Sequence, residues 1–293
     1  MNHNLVKGYT AGILAAIFYG TNPLGTLALY ADGYTPSTVL FYRYVLAVAI
    51  FAVIMAVRGE TFRIRPGHAI RMAFLGAFFA MSSMTLYLSF KYMDAGVAST
   101  ILFCYPIMTA VLMITFFHER LTWTTTISIA LAVGGIGLLY RGGGAGGTQL
   151  STIGVSLVML SSLLYACYII ATGQVHMGFS AMRFTFWVLV FGGLSVVVWI
   201  LVTGEQVALL HTPKQWACAL QLALLPTVLS IFFINMAIDN IGPTPSAILG
   251  ALEPVTAVFI GCMVYGESFT FRLAVGIVLI LSAVLLIIMR KTH

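Results

Sequence analysis

The chain has 293 residues, 60% of them hydrophobic and only 8% charged, with a formal net charge of +6. A soluble domain carries about 25% charged residues, so this composition excludes an ordinary globular enzyme and places the chain in a lipid bilayer. The positive balance does not make nucleic acid a partner: basic residues stand singly at the ends of apolar runs, with no basic–aromatic interleaving and no glycine-rich phosphate loop after a strand.

A helix needs about 20 apolar residues to cross the hydrocarbon core. On that rule the chain is all-α and polytopic, with ten transmembrane helices predicted over about 8–29, 36–57, 68–90, 95–117, 122–140, 152–173, 181–203, 214–238, 244–265 and 270–290. No small-residue cleavage site follows the first run, so no cleavable signal is expected. In span one, Tyr19, Asn22 and Thr26 share a helical face, and Pro23 loosens the helix beside them. Span two holds Arg43, the one base well inside a span. It can snorkel to the nearer interface, pair with an acid or meet a substrate carboxylate; the structural readings are preferred. Ser82, Thr85 and Ser89 share a face of span three.

Span four contains Phe103-Cys104-Tyr105-Pro106 and ends at His118-Glu119. The glycine-rich Gly142–Gly147 run then reads as a flexible connection, dividing the chain into 1–141, a loop 142–151, and 152–293. Ser161, Tyr165, Tyr168 and Thr172 share a face of span six. Span nine places Ser246, Gly250, Glu253, Ala257 and Gly261 on one stripe, with Pro254 next to the acid. A carboxylate in an apolar span is costly, which makes Glu253 a functional candidate. It either lines a cavity and binds an ammonium group or a proton, or ties down broken backbone.

The second half repeats the first. Laying Ala69 on Ala217 runs without a gap and matches Ser82 with Ser230, Pro106 with Pro254 and Glu119 with Glu267. A slightly different offset lays Gly8 on Gly154 and Tyr19 on Tyr165. Five spans per half is odd, so the halves are inverted, a common plan of secondary transporters with the site between the repeats. Both termini then share a side with Lys7, Arg58, Arg63, Arg65, Arg71, Arg120, Arg183, Arg290 and Lys291. That bias predicts cytoplasmic termini. Pro106 and Pro254, each removing a helix bond, are candidate symmetry-related hinges. Glu119 and Glu267 at span ends read as structural charges that cap a following helix or pair with a base.

Four cysteines fall in separate segments without CxxC spacing, and the six histidines lie in tails, loops or helix ends. No metal centre, cofactor or catalytic group is expected from such a scatter. The serines and threonines also have an ordinary role as helix–helix glue. Even so, the aromatic and hydroxyl stripes make Tyr19, Asn22, Ser82, Thr85, Tyr105, Tyr165, Tyr168, Ser246 and Glu253 the candidate cavity residues, with rings for an apolar side chain and hydroxyls for a polar end.

These features resemble the drug/metabolite transporter superfamily in its ten-helix EamA-type branch. The resemblance covers the whole chain and rests on three features: the five-plus-five repeat, Arg43 in span two, and the paired segments Tyr105-Pro106…His118-Glu119 and Glu253-Pro254…Gly266-Glu267. Within that branch the chain is most similar to bacterial aromatic amino-acid exporters. The resemblance implies a multi-pass inner-membrane protein exporting phenylalanine, tyrosine, tryptophan and other neutral amino acids such as methionine and threonine. It implies alternating access through a central cavity lined by spans one, three, four, six, eight and nine. Its partners would be the amino-acid substrate and the bilayer, with a monomer expected. No ATP-binding motif is present, so a substrate or proton gradient would drive transport. One alternative is a carrier for phosphorylated sugars or nucleotide-sugars, which needs cavity-facing cations where only Arg43 qualifies. The other is an intramembrane enzyme, opposed by the lack of mid-span histidines and paired acids.

Overall fold

The computed structural model describes residues 3–92, 98, 101–118, 122–139, 151–175, 178–265 and 271–290. Among these residues every regular element is helical: α1 (His3–Tyr19), α2 (Asn22–Ala31), α3 (Pro36–Val57), α4 (Pro66–Ser89), α5 (Tyr105–Phe117), α6 (Trp123–Leu139), α7 (Thr152–Gln174), α8 (Ala181–Thr203), α9 (Pro213–Ala223), a π-helical segment (Leu224–Leu229), α10 (Ser230–Ile241), α11 (Pro243–Leu249), α12 (Leu252–Tyr265) and α13 (Phe271–Arg290). Six stretches are long and apolar enough to cross a membrane, counting Asn4–Ala31 and Pro213–Ile241 as one each. Local chemistry starts several of them. Pro36, Pro66 and Pro213 occupy first turns, where the missing N–H costs nothing. Thr35, Ser151 and Ser180 accept from the third N–H, and Thr212 forms a reciprocal capping box with Gln215. The remainder of the Gly-rich connection, Glu119 and Glu267 lie outside the described residues.

Helices occupy the described parts of each predicted span, and four of these spans are broken. Span one divides at Gly20-Thr21, just before Pro23, and span four turns at Phe103-Cys104 before Pro106. Span eight passes through the π-helical segment around Pro226, and span nine turns at Gly250-Ala251 before Pro254. In each case proline withdraws an N–H and crowds the carbonyl four residues earlier, so the helix must yield or be re-satisfied by neighbours. Hydroxyls do part of that work. Thr227 Oγ1 donates to Leu222 O at 2.7 Å, and Ser162 Oγ donates to Leu102 O at 2.9 Å.

The main helix pairs cross between the halves: α6 with α13, α1 with α10, α4 with α7. Glycine brings helices of the two halves together at α6–α13 and at a further pair, α4–α8. A Cβ on Gly135 of α6 would lie 2.7 Å from Gly276 O of α13, and one on Gly76 of α4 would lie 2.6 Å from Gly192 N of α8. The repeat is visible in single bonds. Ser82 Oγ donates to Ser161 O at 2.9 Å, and its counterpart Ser230 Oγ donates to Ala15 O at 3.0 Å. Ala15 and Ser161 are themselves repeat equivalents under the offset that lays Tyr19 on Tyr165.

Candidate functional site

Three broken spans and the continuous span six deliver four side chains to one place. Tyr19 ends α1, Tyr105 opens α5, Tyr165 sits mid-way along α7, and Glu253 lies in the first turn of α12. The repeat relates Tyr19 to Tyr165 and Tyr105 to Glu253, so the cluster is two equivalent pairs about the internal pseudo-twofold. Each phenol is an electrostatic neighbour of Glu253, and Tyr105 and Tyr165 each also interact with Tyr19. The rings of Tyr105 and Tyr165 meet edge to face with centroids 4.8 Å apart. Tyr165 stacks on Tyr168 at 6.1 Å, and Phe79 of α4 packs on Tyr168 at 5.2 Å. Two glycines make this convergence possible. At Gly250 an added Cβ would run into the Tyr105 hydroxyl, and at Gly20 one would lie 2.7 Å from Glu253 O.

Glu253 is 8% exposed. Its backbone N–H donates to Gly250 O at 2.9 Å, which re-satisfies the carbonyl that Pro254 frees. Among the described residues its carboxylate has neither a hydrogen-bond partner nor a base within ion-pair distance, and it sits in the first turn of α12, where the helix dipole favours negative charge.

Arg43 borders the cluster through Tyr19. It neither snorkels nor pairs with a described acid: it is wholly buried and its guanidinium is held by neutral oxygens. Nε donates to Thr227 Oγ1 at 2.6 Å, Nη1 to Tyr87 OH at 3.1 Å and Nη2 to Pro226 O at 3.4 Å. Its Cζ stands 5.8 Å from the Tyr19 ring centroid. The planar fork thus ties α3 to the π-helical segment of the other half, which accounts for arginine here rather than lysine. Neither the interface nor the acid that the sequence suggests for Arg43 is its partner; neutral oxygens of α4 and the π-helical segment take that place.

Asn22 joins the Arg43 network, accepting from Tyr87 OH at 2.8 Å. Tyr168 donates to Asn235 Oδ1 at 2.5 Å, and Asn235 Nδ2 donates to Thr185 Oγ1 at 3.0 Å. Ser82 is engaged with Ser161 between α4 and α7, in reciprocal hydroxyl-to-carbonyl bonds of 2.9 and 2.7 Å. Thr85 and Ser246 bond carbonyls of their own helices, Met81 O at 2.9 Å and Gly242 O at 2.8 Å. Of the nine cavity candidates, Tyr19, Tyr105, Tyr165 and Glu253 come together, Tyr168 borders them, and Asn22, Ser82, Thr85 and Ser246 serve neighbouring contacts. Pro106 is buried at the start of α5, and Pro254 lies in the first turn of α12.

Sequence reading missed Tyr87, Thr227, Ser162 and Asn235. A signal for two of them was present. The repeat lays Tyr87 on Asn235 and Asn22 on Tyr168, so the tyrosine-to-amide bond between spans one and three recurs between spans six and eight with donor and acceptor helices exchanged. Thr227 and Ser162 depend on where proline-freed carbonyls point, which one-dimensional periodicity does not encode.

Comparison with known proteins agrees with this architecture. A family model described as the EamA-like transporter family matches residues 6–141 and again 152–289. YdfC of Bacillus subtilis, an uncharacterized transporter, is 23% identical over 279 residues, 94% of this chain and 86% of its own. YcbK of the same organism, also an uncharacterized transporter, is 20% identical over 274 residues, 90% of this chain and 87% of its own. A solved crystal structure superposes with a TM-score of 0.81 at 15% identity, covering 96% of both chains, and speaks to the fold alone.

Proposed function

The chain belongs to the EamA-like transporter family, and on that premise we propose that this multi-pass membrane transporter exports amino acids, aromatic and other neutral ones, by alternating access to a site between its halves. The observation that carries the reading is the Tyr19–Tyr105–Tyr165–Glu253 cluster: aromatic surface for a side chain beside a carboxylate for an ammonium group, assembled from both halves. In this reading the halves are 1–141 and 152–293 joined through 142–151, the membrane is a bacterial inner membrane, and both termini face the cytoplasm. Pro106 and Pro254 act as paired hinges, since each already interrupts a span at the cluster. A protein with both prolines changed to alanine is expected to transport at a rate reduced by about tenfold with substrate binding retained; a normal rate would remove the hinge role.

Phosphorylated substrates are disfavoured because Arg43, the one base inside a predicted span, is wholly buried and commits three of its N–H groups to Thr227, Tyr87 and Pro226. The deciding experiment is uptake of labelled phenylalanine, threonine and a sugar phosphate into proteoliposomes, with and without a pH gradient. Amino-acid flux without sugar-phosphate flux supports the proposal, and the gradient arm reports whether protons are coupled. Sugar-phosphate flux alone overturns it.

A further inference from the structure

We propose that α2 and α9 move together as a two-helix lid over the tyrosine–glutamate cluster, and that Arg43 and Tyr87 are the positioning residues that link its two hinges. This rests on reading the cluster as the transport site. It adds which end of that site opens and what works the opening.

Four observations carry it. First, α2 and α9 have 10 and 11 residues, about half of what a full span needs, and each abuts a break. Span one is cut at Gly20-Thr21, immediately beyond Tyr19 of the cluster, and span eight passes into the π-helical segment at Leu224. Prolines and π-segments are where membrane helices bend. Second, the two half-spans are joined to each other. A Cβ on Gly25 of α2 would lie 2.6 Å from Leu222 Cγ of α9. Gln221 Nε2 donates to Thr21 Oγ1 at 3.1 Å, and at the far end Gln215 Nε2 donates to Asp32 Oδ2 at 3.0 Å. Third, one polar chain holds both hinges. Arg43 Nε donates to Thr227 Oγ1 in the π-helical segment, Arg43 Nη1 to Tyr87 OH, and Tyr87 OH to Asn22 Oδ1 at the start of α2. Arg43 Cζ stands 5.8 Å from the Tyr19 ring centroid, so the same chain touches the cluster. Fourth, the repeat omits these devices at its other copy. The equivalents of Pro23 and Pro226 are Ile169 and Phe78, in α7 and α4, which run unbroken, and Phe186 stands in the place of Arg43. The tyrosine-to-amide bond recurs there, from Tyr168 to Asn235, with no hinge to serve. The guanidinium is thus present where two packed spans are broken and absent where their equivalents are whole.

The test is backbone hydrogen exchange of the purified full-length protein, read segment by segment, which needs no substrate. In the wild type, residues 22–31 and 213–223 are expected to exchange faster than α1, α4 and α7; exchange no faster than in those helices overturns the proposal. Tyr87→Phe keeps the ring and removes the hydroxyl that reaches Asn22. It should accelerate exchange about threefold or more in 213–223 as well as in 22–31, although Tyr87 makes no hydrogen bond to α9. Acceleration confined to 22–31, or equal in every helix, overturns the linkage. Should Tyr87→Phe fail to fold, cross-linking tests the closed lid. Asp32→Cys and Gln215→Cys are combined in protein whose four native cysteines are serine, and are bridged in proteoliposomes by a short bifunctional thiosulfonate. Uptake of labelled phenylalanine is expected to fall about tenfold or more and to recover on reduction. Uptake that the bridge leaves unchanged overturns the lid and leaves the exporter reading standing. If the two segments exchange as expected and the wild type carries no phenylalanine, the exporter reading fails and the lid stands.

Discussion

Spans four and nine carry the same proline break in the two halves, and the molecule resolves it differently in each. Pro106 frees the carbonyl of Leu102, which takes a hydroxyl donor from Ser162 in the opposite half. Pro254 frees the carbonyl of Gly250, which is taken by the N–H of Glu253 in the same span. The repeat equivalent of Ser162 is Ala16, so the second break has no corresponding hydroxyl and closes on itself. Glycine in place of leucine then leaves room for the Tyr105 hydroxyl to reach the second break. Duplication preserved the backbone event, while the polar groups around it diverged into an aromatic copy and an acidic copy. The charges diverged in the same way: with Ser37 laid on Ser180, Arg43 stands where the second half has Phe186, and Glu253 stands where the first half has Tyr105.

That contrast can be broken most severely at Arg43. Arg43→Met leaves Pro226 O, Thr227 and Tyr87 without their shared donor and is expected to cost about 3 kcal/mol. Phe186→Met, the matching change in the other half, should stay within about 1.5 kcal/mol. Reversible unfolding in mixed micelles measures both, and equal effects would mean the two positions are not differentiated. Next in size is Gly250→Ala, whose Cβ would drive Tyr105 away from the second break. A loss of about 1–3 kcal/mol is expected from such overpacking. Gly134→Ala, where a Cβ would meet nothing within 4 Å, should leave stability unchanged or raise it. The smallest test sharpens the symmetry itself. Ser82→Ala and Ser230→Ala remove equivalent bonds to Ser161 O and Ala15 O, and each should cost about 0.6 kcal/mol. A marked inequality would show that one interface between the halves bears more of the load.

The spans, the repeat and the offsets that pair its residues were legible in the sequence because lipid imposes a long apolar period and duplication leaves matching prolines. Glu253, Tyr19, Tyr105 and Tyr165 were legible too, as an acid in an apolar run and tyrosines on polar stripes. What periodicity did not reveal was partnership. Asn22 and Ser82 look like cavity groups on a helical wheel, yet Tyr87 and Ser161 occupy them. Arg43 looked like a charge seeking an acid or an interface, whereas carbonyl and hydroxyl oxygens from span eight hold it. Such contacts join residues far apart in the chain through geometry that the prolines create.

The distance along the chain between Arg43 and its partners bears on how the protein is made. Thr227 follows Arg43 by 184 residues, a delay of about 10–40 s at typical synthesis rates. Through that interval span two carries into the bilayer a guanidinium that costs about 3 kcal/mol at mid-depth on insertion scales. Tyr87, only 44 residues downstream, is the first fixed partner to emerge. The first half is therefore inserted with an unfinished socket, which span eight completes, so the nascent chain gains its reason to close only when the second half arrives.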